Sequence, residues 1–268
     1  MQVTSLGFRT DLALLTDSGS VVEDRGSHLV VRTPDNPSYF WGNFILLAAA
    51  PVPGGEREVV GAFRTEFPLA EHVSIGIDVP ELSDEARAAF EEAGLTIMRD
   101  VVLTAARLDA PRDVEVQLRT LESDEDWEAR SRLSHQLSPE TPEATFMAYA
   151  HGRNEQERRL AREGRGARFG GFVDGELVST AGVFVTEEGV ARYQSVETHV
   201  DHRRRGYAAA VVHAAGRHAL DDLGVRTLVI VADPDGDAIR LYRRLGFAAA
   251  ERVLMLEQRS DEWATPGT

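Results

Sequence analysis

The chain has 268 residues, 43% of them hydrophobic, a formal net charge of −15, no cysteine, and only arginine among its 29 basic residues. That length supports a sizeable core in one or two domains. The acidic balance argues against a nucleic-acid surface and favours cationic partners such as a free amine, and the missing cysteines exclude disulfides, thiolate metal sites and a cysteine nucleophile.

In chain order, Tyr39, Phe40 and Trp41 form an aromatic cluster that reads as core or as the wall of a binding pocket. Gly55 to Phe67 is expected to be helical, His72 to Val79 a strand, and Ser83 to Ala93 a helix with Ser83 as its cap. Gly94 ends that helix, and Leu95 to Ala105 returns as a strand. Asp109 to Asp113, with Pro111 inside it, reads as a linker or loop. Val114 to Thr120 alternates as a strand does, and Ser123 to Leu137 and Pro142 to Arg162 read as helices, with Ser123 and Asp126 as a capping pair. Ala167 to Val173, Asp174-Gly175 and Glu176 to Val185 carry a hairpin signal, because Asp-Gly suits a two-residue turn. Glu187 to Gly189 marks another turn and Arg192 to Val200 the next strand.

A turn loaded with arginine and glycine follows and opens into a helix whose Ala208, Val211, Val212, Ala215 and Ala219 fall at helical spacing. The first turn of a helix leaves backbone N–H groups without partners at the positive end of its dipole, so this is a ready anion site. Gly206 has no Cβ, which lets a phosphate come close to the backbone. Thr227 to Ala232 reads as a buried strand, Asp233-Pro234-Asp235-Gly236 as a turn, and Ala238 to Leu245 as a helix closed by Gly246.

The order Arg203-x-x-Gly206-x-Ala208 resembles the acyl-CoA pyrophosphate loop of the GNAT N-acetyltransferase superfamily. The family's later pattern, Asn-x-x-Ala-x-x-Leu-Tyr-x-x-x-Gly-Phe, is met by Ala238, Leu241, Tyr242, Gly246 and Phe247; Asp235, which accepts hydrogen bonds but cannot donate, stands in place of the Asn. The resemblance covers residues 113 to 258, where the order β-α-α-β-β-β-α-β-α-β is the GNAT order. It implies a mixed α/β (α+β) GNAT fold with a mostly antiparallel sheet flanked by helices, and a catalytic domain over 113–260. Residues 1–110 then form a second, smaller domain. Setting Gly94 on Gly246, an offset of 152, brings Ala86 onto Ala238, Phe90 onto Tyr242 and Val101 onto Val253. This faint repeat is read as a degenerate GNAT-like half, as in tandem members of the superfamily; a mixed α/β domain of other origin is the alternative. This half lacks an Arg-x-x-Gly-x-Ala motif and has Phe90 in place of the tyrosine, so it is not expected to bind CoA.

What the resemblance implies is transfer of an acetyl or other short acyl group from acyl-CoA to a primary amine, without a metal. The amine must be deprotonated, a developing oxyanion needs a backbone donor, and the leaving thiolate needs a proton. No Gly-x-Ser-x-Gly elbow exists, so direct transfer in a ternary complex is the simpler scheme. The family's matching tyrosine lies near the CoA sulfur, which makes Tyr242 the acid; as an aromatic four residues from Ala238 it also reads as core. Glu197, on the strand before the loop, is the expected base or else a solvated strand residue, and His199 competes with it. Thr198 and Val200 would serve through their backbone groups, and Arg203, Arg204, Arg205, Gly206, Tyr207, Ala208 and Asp235 would line the acyl-CoA.

A non-catalytic acyl-CoA-binding or regulatory module is the alternative function. The arginines at 153, 158, 159, 162, 165 and 168 read as a solvated helix face paired with Glu155, Glu157 and Glu163, or else as phosphate contacts. The longest apolar run, Phe44 to Ala50, is far short of the ~20 residues that cross a bilayer, and no secretion signal is legible. A soluble, cytoplasmic, bacterial protein is expected, with acyl-CoA and a small amine as partners, neither nucleic acid nor membrane, and a homodimer as the assembly allowed for.

Overall fold

The computed structural model describes residues 1–36, 39–52, 54–139 and 141–258. They fall into two compact units, one of residues 1–102 with 250–258 and the other of residues 103–249. No helix among the described residues is long and apolar enough to cross a membrane.

The first unit runs through α1 (Leu6–Asp17), β1 (Val21–Asp24), β2 (His28–Arg32), β3 (Phe44–Leu47), α2 (Glu56–Glu66), β4 (Val73–Ile77) and α3 (Asp84–Glu92) into β5 (Thr96–Ala105). Ser83 caps α3 by accepting the Ala86 N–H, and Gly94 behind it takes φ +80, the left-handed value that suits glycine. The sheet order is β1-β2-β3-β4, antiparallel except for the parallel β3/β4 pair. All five residues of β4 are buried, as expected of a strand covered on both faces. Phe63 of α2 and Phe90 of α3 are fully buried with Ile45, Ile75 and Ile77. Phe40 lies in this interior too, with its ring stacked on His72 at 4.1 Å, and Trp41 meets Phe44 edge-on. The described part of the aromatic cluster is therefore packed within this unit.

The second unit continues with β6 (Gln117–Thr120), α4 (Asp124–Gln136), α5 (Glu143–Arg162), β7 (Gly166–Val173), β8 (Glu176–Glu187), β9 (Val190–Thr198), α6 (Tyr207–Asp222), β10 (Thr227–Ala232) and α7 (Asp237–Arg244). Its sheet order is β10-β9-β8-β7-β6, with β10/β9 parallel and the others antiparallel. Val211, Val212, Ala215 and Ala219 of α6 are fully buried, one turn of small and branched residues after another. The last strand, β11 (Ala248–Gln258), takes the chain back: Leu254 to Gln258 pair antiparallel with Ile77 to Val73 of β4 in the first unit.

The sequence places a boundary at 109–113, whereas the geometric one falls between Val102 and Leu103. The segment after β5 is no free linker. The Asp109 N–H donates to the Leu245 carbonyl at 3.0 Å, and Leu108 lies where a Cβ on Gly216 of α6 would sit, 2.4 Å away. The offset of 152 holds at the level of elements. Shifted by it, α3 falls on 236–244 and β5 on 248–257, where α7 and β11 lie. Gly246 takes φ +95, as Gly94 does its +80. The strand series β1-β2-β3-β4 and β7-β8-β9-β10 also share one pairing pattern, antiparallel, antiparallel, parallel.

α4, which supports the site described next, starts in a capping box. Ser123 Oγ accepts the Asp126 N–H and the Asp126 carboxylate accepts the Ser123 N–H, both at 3.2 Å. The carboxylate also receives the Arg119 guanidinium at 2.6 and 2.7 Å and the Glu122 N–H at 3.0 Å. The Arg119 hydrogen bonds, aided by those backbone donors and opposed by burial, hold Asp126 down to about 2. A carboxylate depressed in the folded state stabilises it above the ordinary value of 3.8 and loses that contribution as pH falls through about 2. Urea denaturation at several pH values should show stability dropping across that window. Asp126→Asn should flatten the drop and cost about 1–2 kcal/mol near neutral pH.

Candidate functional site

β9 and β10 pair only over Val190–Arg192 and Thr227–Val229. β9 then runs on to Thr198 and β10 to Ala232. Where a parallel ladder stops while its strands continue, the inner backbone groups remain open to a third partner. An extended ligand with amide groups of its own suits such a slot. On its other edge β9 stays paired with β8, but through a bulge. Gly182 opposes Gln194 and Thr180 opposes Glu197, so Ser195 and Val196 face Ala181 alone. Ser195 sits at φ +44, rare for a residue with a side chain. Bulges bend a strand and re-aim the side chains that follow.

Glu197 is the first side chain after the bulge. Ser134 Oγ of α4 lies 2.8 Å from both of its carboxylate oxygens, and Arg130 Nε, one turn earlier, stands 3.9 Å away. It is therefore held by α4, and not a solvated strand glutamate. Behind it lies a buried charge network. Arg130 Nη1 donates to Asn154 Oδ1 at 2.6 Å, and Asn154 Nδ2 donates to the Trp127 carbonyl at 3.0 Å and Ser131 Oγ at 2.8 Å. Glu157 of α5 takes Arg168 of β7 on both oxygens and has Arg130 at 3.8 Å and Arg153 at 3.9 Å. Burial alone would raise the Glu157 carboxyl, but the guanidiniums of Arg168, Arg130 and Arg153 outweigh it and hold it well below the usual carboxylate range.

This network corrects the surface reading of the arginine run. Arg168 is fully buried. Arg158 and Arg162 do behave as surface residues, paired with Asp124 and Glu155.

Past β9 the chain makes a one-turn 3-10 helix, Val200–His202, so Val200 lies beyond the strand end and is half exposed. His199 Nδ1 accepts the Asp201 N–H at 3.2 Å, which uses that ring nitrogen as the cap of the turn. Thr198 Oγ1 lies 2.8 Å from Ser179 Oγ, and its carbonyl has Arg203 Nε at 3.4 Å. Arg204 takes φ +63 and Gly206 φ +97 at the N-cap of α6, whose first turn contains no acidic residue. Tyr207 and Ala208 begin that turn, half-buried. Arg203, Arg204, Arg205 and Arg112 are all exposed here; among the described residues only Arg204 meets a carboxylate, Asp237 at 3.5 Å. Arg112 Nη2 donates to the Arg205 carbonyl at 2.6 Å. The space that a Cβ on Gly206 would fill is taken by Val114 Cγ1 at 3.0 Å and Arg112 Nε at 3.1 Å. Glycine is thus demanded by the loop's own geometry as well as by any ligand.

Tyr242 of α7 is buried, and burial pushes its hydroxyl up, so it stays protonated through the physiological range. Its ring meets Phe247, which in turn meets Tyr193 of β9, in two edge contacts of 6.1 and 5.9 Å. Tyr193 OH donates to the Val212 carbonyl at 2.7 Å. Tyr242 OH makes no hydrogen bond among the described residues. Asp235 is exposed in the turn before α7, where its N–H donates to Asp233 Oδ1 at 2.9 Å.

Residues 129–247 match the family model for the acetyltransferase (GNAT) family. The match lies within the second unit, so that unit carries the GNAT likeness. No curated protein matches the sequence. Among solved structures, a functionally unknown conserved protein of Staphylococcus epidermidis is 14% identical, with a TM-score of 0.73 over 90% of this chain and 93% of its own. A GCN5-related N-acetyltransferase of Kribbella flavida is 20% identical, with a TM-score of 0.66 over 96% and 97%. A tandem GNAT protein from the clavulanic acid biosynthesis pathway is 15% identical, with a TM-score of 0.57 over 92% and 87%. At these identities the likeness is one of fold, and the GNAT fold is what this chain shares with them. Acyl transfer is the chemistry that the family supports in general.

The left-handed Gly206 gives a direct test of the loop. Gly206→Ala should cost about 1–3 kcal/mol, from the positive φ and the contacts with Val114 and Arg112. Thermal unfolding of the purified variant measures it.

Proposed function

We infer that the second unit transfers an acetyl or other short acyl group from acyl-CoA to a primary amine by direct attack in a ternary complex. The observation that carries this reading is the slot where the β9/β10 ladder ends, set beside a basic, glycine-capped helix start. Acyl-CoA supplies the activated thioester. On this reading the backbone of Arg204 to Ala208 and the side chains of Arg203, Arg204 and Arg205 receive the pyrophosphate, and the backbone of Thr198 and Val200 the pantetheine arm and acyl carbonyl. Asp235 borders the same ligand from the turn before α7. Glu197 takes the proton of the amine, directly or through water, and Tyr242 returns one to the thiolate. Glu197 is preferred to His199 because His199 already caps its turn through Nδ1. An acidic chain without lysine suits a small cationic acceptor and a cytoplasmic setting.

We read the first unit as a degenerate GNAT half that does not take CoA. Under the 152-residue offset Gly54 stands for Gly206, and it too has positive φ, +92. Its N–H, however, donates to the unit's own Glu56 at 3.2 Å, and Glu56 and Glu58 occupy the first turn of α2. Carboxylates there repel a phosphate. The β3/β4 ladder also stays closed, with the Asp78 N–H donating to Leu47 O at 2.8 Å just past the last pair.

Tyr242→Phe should leave acetyl-CoA affinity near wild type, by calorimetry, and lower kcat by about 10²–10⁴-fold. Unchanged kcat with chemistry rate-limiting would leave Tyr242 a packing residue. Glu197→Gln should lower turnover on an amine panel without weakening CoA binding. Tight CoA binding by the wild type with no turnover on any amine would instead favour the regulatory module.

A further inference from the structure

The β9 bulge carries both the start of the slot and the aim of Glu197, yet its central residue is a serine at φ +44. Something must hold it there, because a residue with a Cβ visits that region at a cost of about 1 kcal/mol or more. Arg168 faces it from β7. Its Nη1 donates to the Ser195 carbonyl at 3.1 Å and its Nη2 to the Gln194 carbonyl at 3.2 Å. The remaining donors go to both oxygens of Glu157 and to Thr180 Oγ1 at 3.4 Å. All five guanidinium N–H groups are therefore used, by a side chain with no solvent exposure. Room for it comes from Gly182, where a Cβ would stand 2.9 Å from Nη2.

We propose that Arg168 is a positioning residue that locks the β9 bulge by binding the two carbonyls at its turn, and so keeps the slot open and Glu197 on station. Glu157 and Arg130 extend the lock to α5 and α4. Arginine is required rather than lysine. Only a planar fork reaches two successive carbonyls on one side and a bidentate carboxylate on the other, whereas an ammonium has three donors at one point. The consequences for acyl-CoA rest on the acyltransferase reading; the consequences for the bulge do not.

The test uses the full chain and two readouts. Arg168→Lys keeps a cation for Glu157 and abandons the carbonyls. Amide hydrogen exchange over 193–198 should quicken about tenfold relative to β7 and β8, and the Kd for acetyl-CoA should rise about tenfold. Adding Ser195→Gly should restore much of both, because glycine adopts the left-handed conformation without help. A side chain that only fills the core would not be rescued from the exposed position 195. Should Arg168→Lys fail to fold, Gly182→Ala displaces the guanidinium while keeping its charge and should give the same local exchange. Normal exchange at 193–198 in a folded Arg168→Lys or Gly182→Ala protein overturns the proposal, as does an Arg168→Lys defect that Ser195→Gly leaves untouched. Wild-type protein that does not bind acetyl-CoA removes the acyltransferase reading and leaves the exchange arms standing.

Discussion

A parallel ladder that stops after three residue pairs governs the second unit. β9 and β10 are hydrogen-bonded from Val190 to Arg192 and no further, although both strands continue. An open strand edge inside a protein is an expense unless something fills it or holds it apart. Here the opposite edge of β9 is bulged and gripped from below by Arg168, so the strand cannot settle back into register. The buried arginine, the strained serine and the engaged Glu197 are parts of one arrangement. Its worth lies in specificity of geometry, since a buried ion pair is a weak source of net stability.

The two units use one strand pattern with opposite electrostatics. At the start of α6 the chain places arginines and a left-handed glycine; at the start of α2 it places carboxylates, one of which already accepts the N–H of the matching glycine. Backbone donors at a helix start accept a carboxylate as readily as a phosphate. A single acidic side chain in that turn is therefore enough to make the site self-contained. A shared strand pattern can therefore carry helix starts of opposite charge.

What was legible in the sequence was local. Asp174-Gly175 announced the hairpin, Ser123 with Asp126 the start of α4, and the apolar spacing after Gly206 the helix α6. Each rests on residues a few positions apart. Arg168 was not legible, because an arginine inside an arginine-rich run looks like surface; only its place among the small residues of β7 hinted at burial. Ser134 and Arg130 were missed for a similar reason, since their meeting with Glu197 spans more than sixty residues of chain. The short strands β1 to β3 gave little period to read. The geometric division at Val102/Leu103 was not legible because β5 is continuous across it, and a strand offers no composition shift to mark a division.

The return of β11 to β4 has a bearing on how the protein is made. A ribosome releases the chain from its first residue, and most domains can close as soon as their own segment emerges. This first unit cannot. Its β4 waits for residues 254–258, translated some 177 positions after Ile77. Until then a five-residue, mostly apolar strand is exposed on one edge, a template for pairing with any neighbouring nascent chain. That edge stays open for as long as the second unit takes to be synthesised, and its partner arrives only with the last strand.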